Sequence, residues 1–128
     1  MYPKELRYSS THEWVRVEGN QGTVGITYHA AAELGDVTYL ELPELGISVA
    51  RGDAFGVIES IKAVEDLVAP VSGQITDVNN PLVSALDTIN RDPYGEGWLV
   101  VVEMDDLPEL DELMTAEEYE TFVEEGGE

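Results

Sequence analysis

The sequence predicts a mainly β fold: a sandwich or barrel of short antiparallel strands, with short helices between them and one helix near the C-terminus. Three observations lead there. Short β-branched runs recur through most of the chain, glycine and proline close nearly every one of them, and a helical capping box with an amphipathic run behind it stands close to the end. With 128 residues and 43% apolar content spread throughout, the chain fits one domain that closes its core without metal or disulfide support. No internal boundary is expected. Residues 1–7 read as an N-terminal extension, 115–124 as the C-terminal helix and 125–128 as an acidic tail.

Trp14 to Ile26 gives two β-branched runs around Gly19-Asn20-Gln21-Gly22, the pattern of a hairpin with a glycine-rich turn. Thr27 to Leu34 is rich in alanine, opens on a threonine able to cap it and stops at Gly35, which predicts a short helix. Asp36 to Leu42 alternates as a strand and is halted by Pro43. Gly46 to Asp53 is broken twice by glycine, leaving short strands on either side. Ala54 to Glu59 and Ala63 to Val68 are strand-like, so Ser60-Ile61-Lys62 falls where a hairpin turns and Lys62 stands at an exposed tip. Ala69 to Gly73 reads as a corner, Gln74 to Val78 as a strand, Asn79-Asn80-Pro81 as the opening of a helical stretch through Leu86, and Trp98 to Glu103 as the last strand. In Thr115-Ala-Glu-Glu118 the hydroxyl can accept an orphan backbone N–H while Glu118 reaches back to the cap. Ala116, Tyr119, Phe122 and Val123 then share one helical face. Negative charge from Glu124 onward opposes the helix dipole, so fraying is expected there.

Six basic residues stand against 27 acidic ones, a formal net charge of −21. Nucleic acid is therefore a poor partner, because phosphate binding needs clustered Lys and Arg, while Arg7, Arg16, Arg51 and Arg91 are scattered. Basic protein surfaces are better partners, and the self-repulsion favours a monomer. The absence of cysteine excludes disulfides, thiolate metal sites and a cysteine nucleophile, so any sulfur chemistry must come from a cofactor. Neither a signal peptide nor an apolar run of membrane-spanning length is recognisable, and a cytoplasmic protein is expected. His12 and His29 lack partners at metal-ligand spacing and read as structural or surface residues. Trp14, Trp98, Tyr39 and Tyr94 read as core and corner residues.

The chain holds only two lysines, Lys4 near the terminus and Lys62 between two apolar runs. An isolated amine at a hairpin tip points to a residue used for its nitrogen. The surrounding segment, Phe55-Gly-Val-Ile-Glu-Ser-Ile-Lys62-Ala-Val-Glu-Asp-Leu-Val-Ala-Pro-Val-Ser-Gly73, resembles the lipoate-attachment region of the glycine cleavage system H-protein family, whose motif has Glu-Ser-Val-Lys-Ala followed by Asp and a Pro-Val-Ser-Gly corner. Thr11-His-Glu-Trp14, Gly25-Ile-Thr27, Leu34-Gly-Asp36, Glu41-Leu-Pro43 and Asp92-Pro-Tyr-Gly-Glu-Gly-Trp98 resemble further family signatures and occur in family order, so that nearly the whole chain from Tyr8 to Phe122 is covered.

The resemblance implies a lipoyl/biotinyl-type sandwich, a flattened barrel, and a non-catalytic carrier whose Lys62 bears lipoate in amide linkage. A free lysine amine at neutral pH is almost fully protonated and a poor nucleophile, so a lipoate-attaching enzyme must bring an activated acyl donor to it. In the family, the carrier takes an aminomethyl group from glycine decarboxylase (the P protein) to the aminomethyltransferase (T protein). Dihydrolipoyl dehydrogenase (L protein) then reoxidises it. By the same resemblance Glu59 and Gly73 present the lysine to the attaching enzyme, the first by charge and the second by turn geometry, while Thr11, Glu13 and Asp66 line a cleft around the loaded arm. Thr11 stands where relatives often have serine, and Glu33 where they can have histidine.

Other functions compete. A carrier that only relays lipoate to other enzymes has the same sequence features. Biotin carriers flank their lysine with methionine, which Ile61-Lys62-Ala63 lacks. An acidic hydrolase built on Glu13 and Asp66 leaves the lysine motif unexplained, and a structural interaction module would tolerate arginine at position 62.

Overall fold

The computed structural model describes residues 2–127; Met1 and Glu128, the outermost residues of the expected extension and tail, lie outside them. Among the described residues, nine strands form two antiparallel sheets: β1 Arg7–Tyr8, β2 Glu13–Glu18, β3 Gln21–Ile26, β4 Val37–Glu41, β5 Ser48–Val49, β6 Ala54–Ser60, β7 Val64–Val68, β8 Gly73–Val78 and β9 Val100–Met104. One sheet has the order β1-β2-β3-β9-β8-β5, the other β4-β6-β7. Alternation decides which side chains enter the space between them. Val15, Val24 and Val102 from the larger sheet meet Leu40, Ile58 and Leu67 from the smaller, all buried in one apolar cluster.

The hairpin of β2 and β3 turns at Gly19 and Asn20, with Glu18 opposite Gln21 and Gly19 at φ 65. Gln21 and Gly22, expected in the turn, already belong to β3. Helix α1, Tyr28–Leu34, begins and ends where its signals place it: Thr27 accepts the Ala30 N–H, and Gly35 at φ 75 closes it by donating to the Ala31 carbonyl. Of the broken stretch from Gly46 to Asp53 only β5 is a strand.

After β8 the chain departs from expectation. The stretch opened by Pro81 is a 3-10 helix, Asn80–Ser84, and a separate α2, Asp87–Arg91, follows it. Its Asn90 clamps the link after α1, donating to the Gly35 carbonyl at 2.7 Å and accepting the Val37 N–H at 3.3 Å. A second 3-10 helix, Leu107–Glu112, has no counterpart among the expected elements; it too has a proline in its first turn. The last strand starts at Val100 rather than Trp98, because Trp98 still belongs to the glycine turn after Pro93, which Trp14 Nε1 holds through the Pro93 carbonyl at 3.1 Å. Tyr39, expected in the core or a corner, is 46% exposed: it stands opposite Glu59, one residue out of phase with buried Leu40.

Helix α3, Ala116–Glu124, carries both halves of the predicted capping box. Tyr119 from this helix joins Leu6, Tyr8, Trp14 and Ala116 in a second apolar cluster, its ring stacked on Tyr8 at 4.8 Å with 13° between planes. Helix α3 ends at Glu124, where the opposing charge begins. Gly126, at φ 84, donates to the Val123 carbonyl and Gly127 to the Phe122 carbonyl, so the left-handed closure satisfies the orphan carbonyls despite the unfavourable charge. No helix among the described residues is long and apolar enough to cross a membrane.

Removing the cap tests how far α3 depends on it. Thr115→Ala should lower the unfolding free energy by about 1 kcal/mol, measured by urea denaturation, and Thr115→Ser should restore most of it.

Candidate functional site: a lysine at a hairpin tip beside a cleft

The tip is built locally. Ser60 N–H donates to the Ala63 carbonyl at 2.8 Å, and buried Ser60 turns its Oγ to accept the Lys62 N–H at 3.3 Å, which leaves Ile61 and Lys62 outermost. Ile61 is 89% exposed and Lys62 is exposed as well. No described residue forms an ion pair with Lys62.

Beside the tip lies a cleft of about 790 Å³. Strand β7, an edge of its sheet, forms one side; the turn before β2 and helix α1 form the other. Ile26, Leu34, Ile58 and Leu67 give it an apolar floor, and Thr11, Glu13, Glu33, Asp66 and the two histidines give it polar walls. Lys62, Thr11, Glu13 and Asp66, four residues singled out in the sequence, thus border one cavity, although Glu13 and Lys62 are far apart in the chain. Glu59 and Gly73 do not border it. Glu59 lies half-buried on the outer face of the small sheet, between Tyr39 and Val64 on neighbouring strands. Gly73 opens β8 in the other sheet, where a Cβ would stand 2.0 Å from the Glu103 carbonyl oxygen; strand approach is what demands glycine there.

Glu13 is the unusual group. Only 2% exposed, its Oε1 accepts from Ser9 Oγ at 2.9 Å and from Thr11 Oγ1, and its Oε2 accepts the Val68 N–H at 3.1 Å. The carboxylate thereby joins the first turn of the fold to the edge of β7. Burial pushes its pKa from the ordinary 4.5 up to about 7, against the pull of the hydrogen bonds from Thr11, Val68 and Ser9. At neutral pH it passes between a neutral and an anionic form.

His12 and His29 were set aside in the sequence, yet both line the cleft, with ring centroids 4.8 Å apart. His12 has φ 74, a left-handed conformation that costs a non-glycine residue about 1 kcal/mol or more. Ser9 was missed too. Its spacing, a hydroxyl four residues before a glutamate with another hydroxyl between, is the signal that could have found it. No cluster able to hold a metal ion occurs among the described residues.

The two-sheet sandwich with a lone lysine on a hairpin tip defines a carrier of the lipoyl-domain type. The comparisons with known proteins narrow this. A model of the family described as glycine cleavage H-protein matches residues 6–126. A glycine cleavage system H protein from Carboxydothermus hydrogenoformans is 49% identical over 126 residues, 98% of this chain and 97% of that protein. One from Rubrobacter xylanophilus is 53% identical over 123 residues, 96% of this chain and 95% of that protein. The crystal structure of a glycine cleavage system H protein from Mycobacterium marinum superposes with a TM-score of 0.86 at 41% identity, covering 97% of this chain and 98% of that one. The chain belongs to the glycine cleavage H-protein family, the non-catalytic lipoyl carriers of the glycine cleavage system.

Two outcomes follow from the geometry. Because the folded-state pKa of Glu13 is raised, its protonated form adds stability that is complete below pH 4.5 and is lost as the pH rises through about 7. Between those values Glu13→Gln should remove a fall of about 2–3 kcal/mol from the pH dependence of unfolding, followed in urea at a series of pH values. Gly73→Ala should cost about 3 kcal/mol or more in the same assay, since the new methyl group meets backbone and not a movable side chain.

Proposed function

We infer that Lys62 is the residue that takes lipoate, in amide linkage, and that the cleft beside it receives the attached arm. The observation that carries this is the placement of Lys62: an exposed amine on a two-residue tip, bordering a cavity whose size falls in the range of small-molecule sites, roughly 300–1,000 Å³. The donor set suits the group. Ile26, Leu34, Ile58 and Leu67 match an aliphatic chain, and the carboxylates of Glu13 and Asp66 with Thr11 Oγ1 suit a polar or cationic end.

When bound, lipoate supplies the dithiol–disulfide chemistry that a cysteine-free chain lacks, accepting the aminomethyl group and undergoing reoxidation. The residues of the chain do the rest. The β6–β7 turn holds the lysine clear of the surface, where an attaching enzyme reaches it. Glu59, on the outer face of the small sheet, supplies that enzyme with a charge to recognise, and Gly73 keeps the strand after the corner in register. Thr11, Glu13 and Asp66 hold the arm's end, and Glu13 in its anionic form offers an amine a desolvated partner. No residue is called on to lower a barrier; tethering raises the local concentration of the carried group at each enzyme. In this reading the partners are glycine decarboxylase, the aminomethyltransferase, dihydrolipoyl dehydrogenase and a lipoate-attaching enzyme, met in the cytoplasm. Their docking faces complement the −21 charge, which also keeps the carrier monomeric.

Reconstitution tests it. With the three enzymes, glycine, tetrahydrofolate and NAD, the chain pretreated with lipoate, ATP and a lipoate ligase should support NADH formation, and Lys62→Arg treated alike should leave the background rate. Equal turnover by the arginine variant would refute the assignment.

A further inference from the structure

Both sides of the turn and helix that wall the cleft run back to one hydroxyl on α3. Thr11 and His12 belong to the turn before β2 and Glu13 opens that strand; His29, Ala30, Glu33 and Leu34 belong to α1. The two segments meet where Thr27, the cap of α1, donates its backbone N–H to the His12 carbonyl at 3.0 Å. Tyr119 joins them a second time through side chains: its Oη lies 2.8 Å from Thr27 Oγ1 and 2.6 Å from His12 Nδ1. Tyr119 and Thr27 are both fully buried, so water does not compete for these bonds. Thr27 Oγ1 also accepts the Ala30 N–H at 3.2 Å, so one hydroxyl of α3 is tied both to the cap of α1 and to the His12 ring.

We propose that Tyr119 is a positioning residue for the cleft: its hydroxyl fixes the tautomer and orientation of His12 and seats the Thr11–Glu13 turn against α1, so that the cleft keeps its width as the arm of Lys62 enters. The left-handed backbone of His12 is strained and needs such a hold. The identity of the arm rests on the reading of Lys62 given above, whereas the hold by Tyr119 belongs to the chain before attachment. The ring does separate work. It stacks on Tyr8 and meets Tyr2 edge-on at 4.9 Å, contacts that a phenylalanine keeps.

The test is Tyr119→Phe in the full chain without lipoate. Amide hydrogen exchange should quicken about tenfold in residues 11–13 and 28–34 and stay unchanged in β8 and β9, as loss of a local tie predicts. The tautomer ratio of the His12 ring, read from its nitrogen shifts by NMR, should change when the Tyr119 hydroxyl is removed. Unchanged exchange with an unchanged tautomer overturns the proposal, and so does a uniform rise across all strands, which would give Tyr119 a role in general stability alone. Should the variant fail to fold, His12→Asn decides instead, since asparagine accepts the left-handed backbone but does not reach Tyr119. Quickened exchange in α1 supports the proposal and unchanged exchange in α1 overturns it. Attachment is read separately by mass: a chain that takes no lipoate yet shows the coupled exchange refutes the Lys62 reading and leaves Tyr119 in place.

Discussion

The fold turns on one buried carboxylate. Glu13 sits at the start of β2, takes hydrogen bonds from the two hydroxyls of its own turn, and reaches across to the backbone N–H of Val68 at the edge of the smaller sheet. An edge strand has unpaired backbone groups that must find a partner or meet water. Here the partner is a side chain and not another strand, so the sheets are fastened at this corner without closing on one another. The space left beside the fastening is the cleft. A strand in that place would have satisfied the edge more fully and left no cavity.

The same corner gathers the rest of the site. Helix α1 is capped by Thr27, closed by Gly35 and clamped through Asn90, and so stands opposite β7 at a fixed distance. The β6–β7 hairpin ends just beyond, with Lys62 on its tip. A carrier has to expose one amine and shelter what that amine later bears. On the reading of Lys62 proposed above, the first need is met by a turn that Ser60 and Ala63 close beneath the lysine, the second by apolar side chains that face inward from both sheets. Charge makes the division sharper. In a chain with 27 acidic residues and two lysines, the surface charge favours basic partners, while Lys62, the inferred attachment point, stands out as a single nitrogen.

Much of the fold was legible because its signals are local. The alternation of β2, β3, β6 and β7, the caps of α1 and the capping box of α3 each depend on residues within a few positions. The helical stretch at Pro81 was legible, though not its 3-10 form; the 3-10 helix Leu107–Glu112 and α2 were not, the first because its proline start resembles a loop, the second because it is too short for a period to show. Tyr39 was misplaced because burial depends on which phase of β4 faces the other sheet. For the candidate site, Lys62 stood out by its isolation, whereas Thr11, Glu13 and Asp66 were named only through resemblance to a family, since Glu13 by composition alone is one acid among 27. Its burial rests on Val68, and the place of His12 on Tyr119; such pairings at long range have no local trace. Gly73 was read as a turn and proved to be a point of close strand approach, a demand set by a carbonyl from β9.

The most direct measurement is a tryptic mass map of the chain after treatment with lipoate, ATP and a lipoate ligase. Acylation of Lys62 blocks cleavage there, so the account predicts one uncut peptide from Gly52 to Arg91 that carries a single lipoyl group, with Lys4 unmodified. Cleavage after an unmodified Lys62, or lipoate found on Lys4, would contradict it.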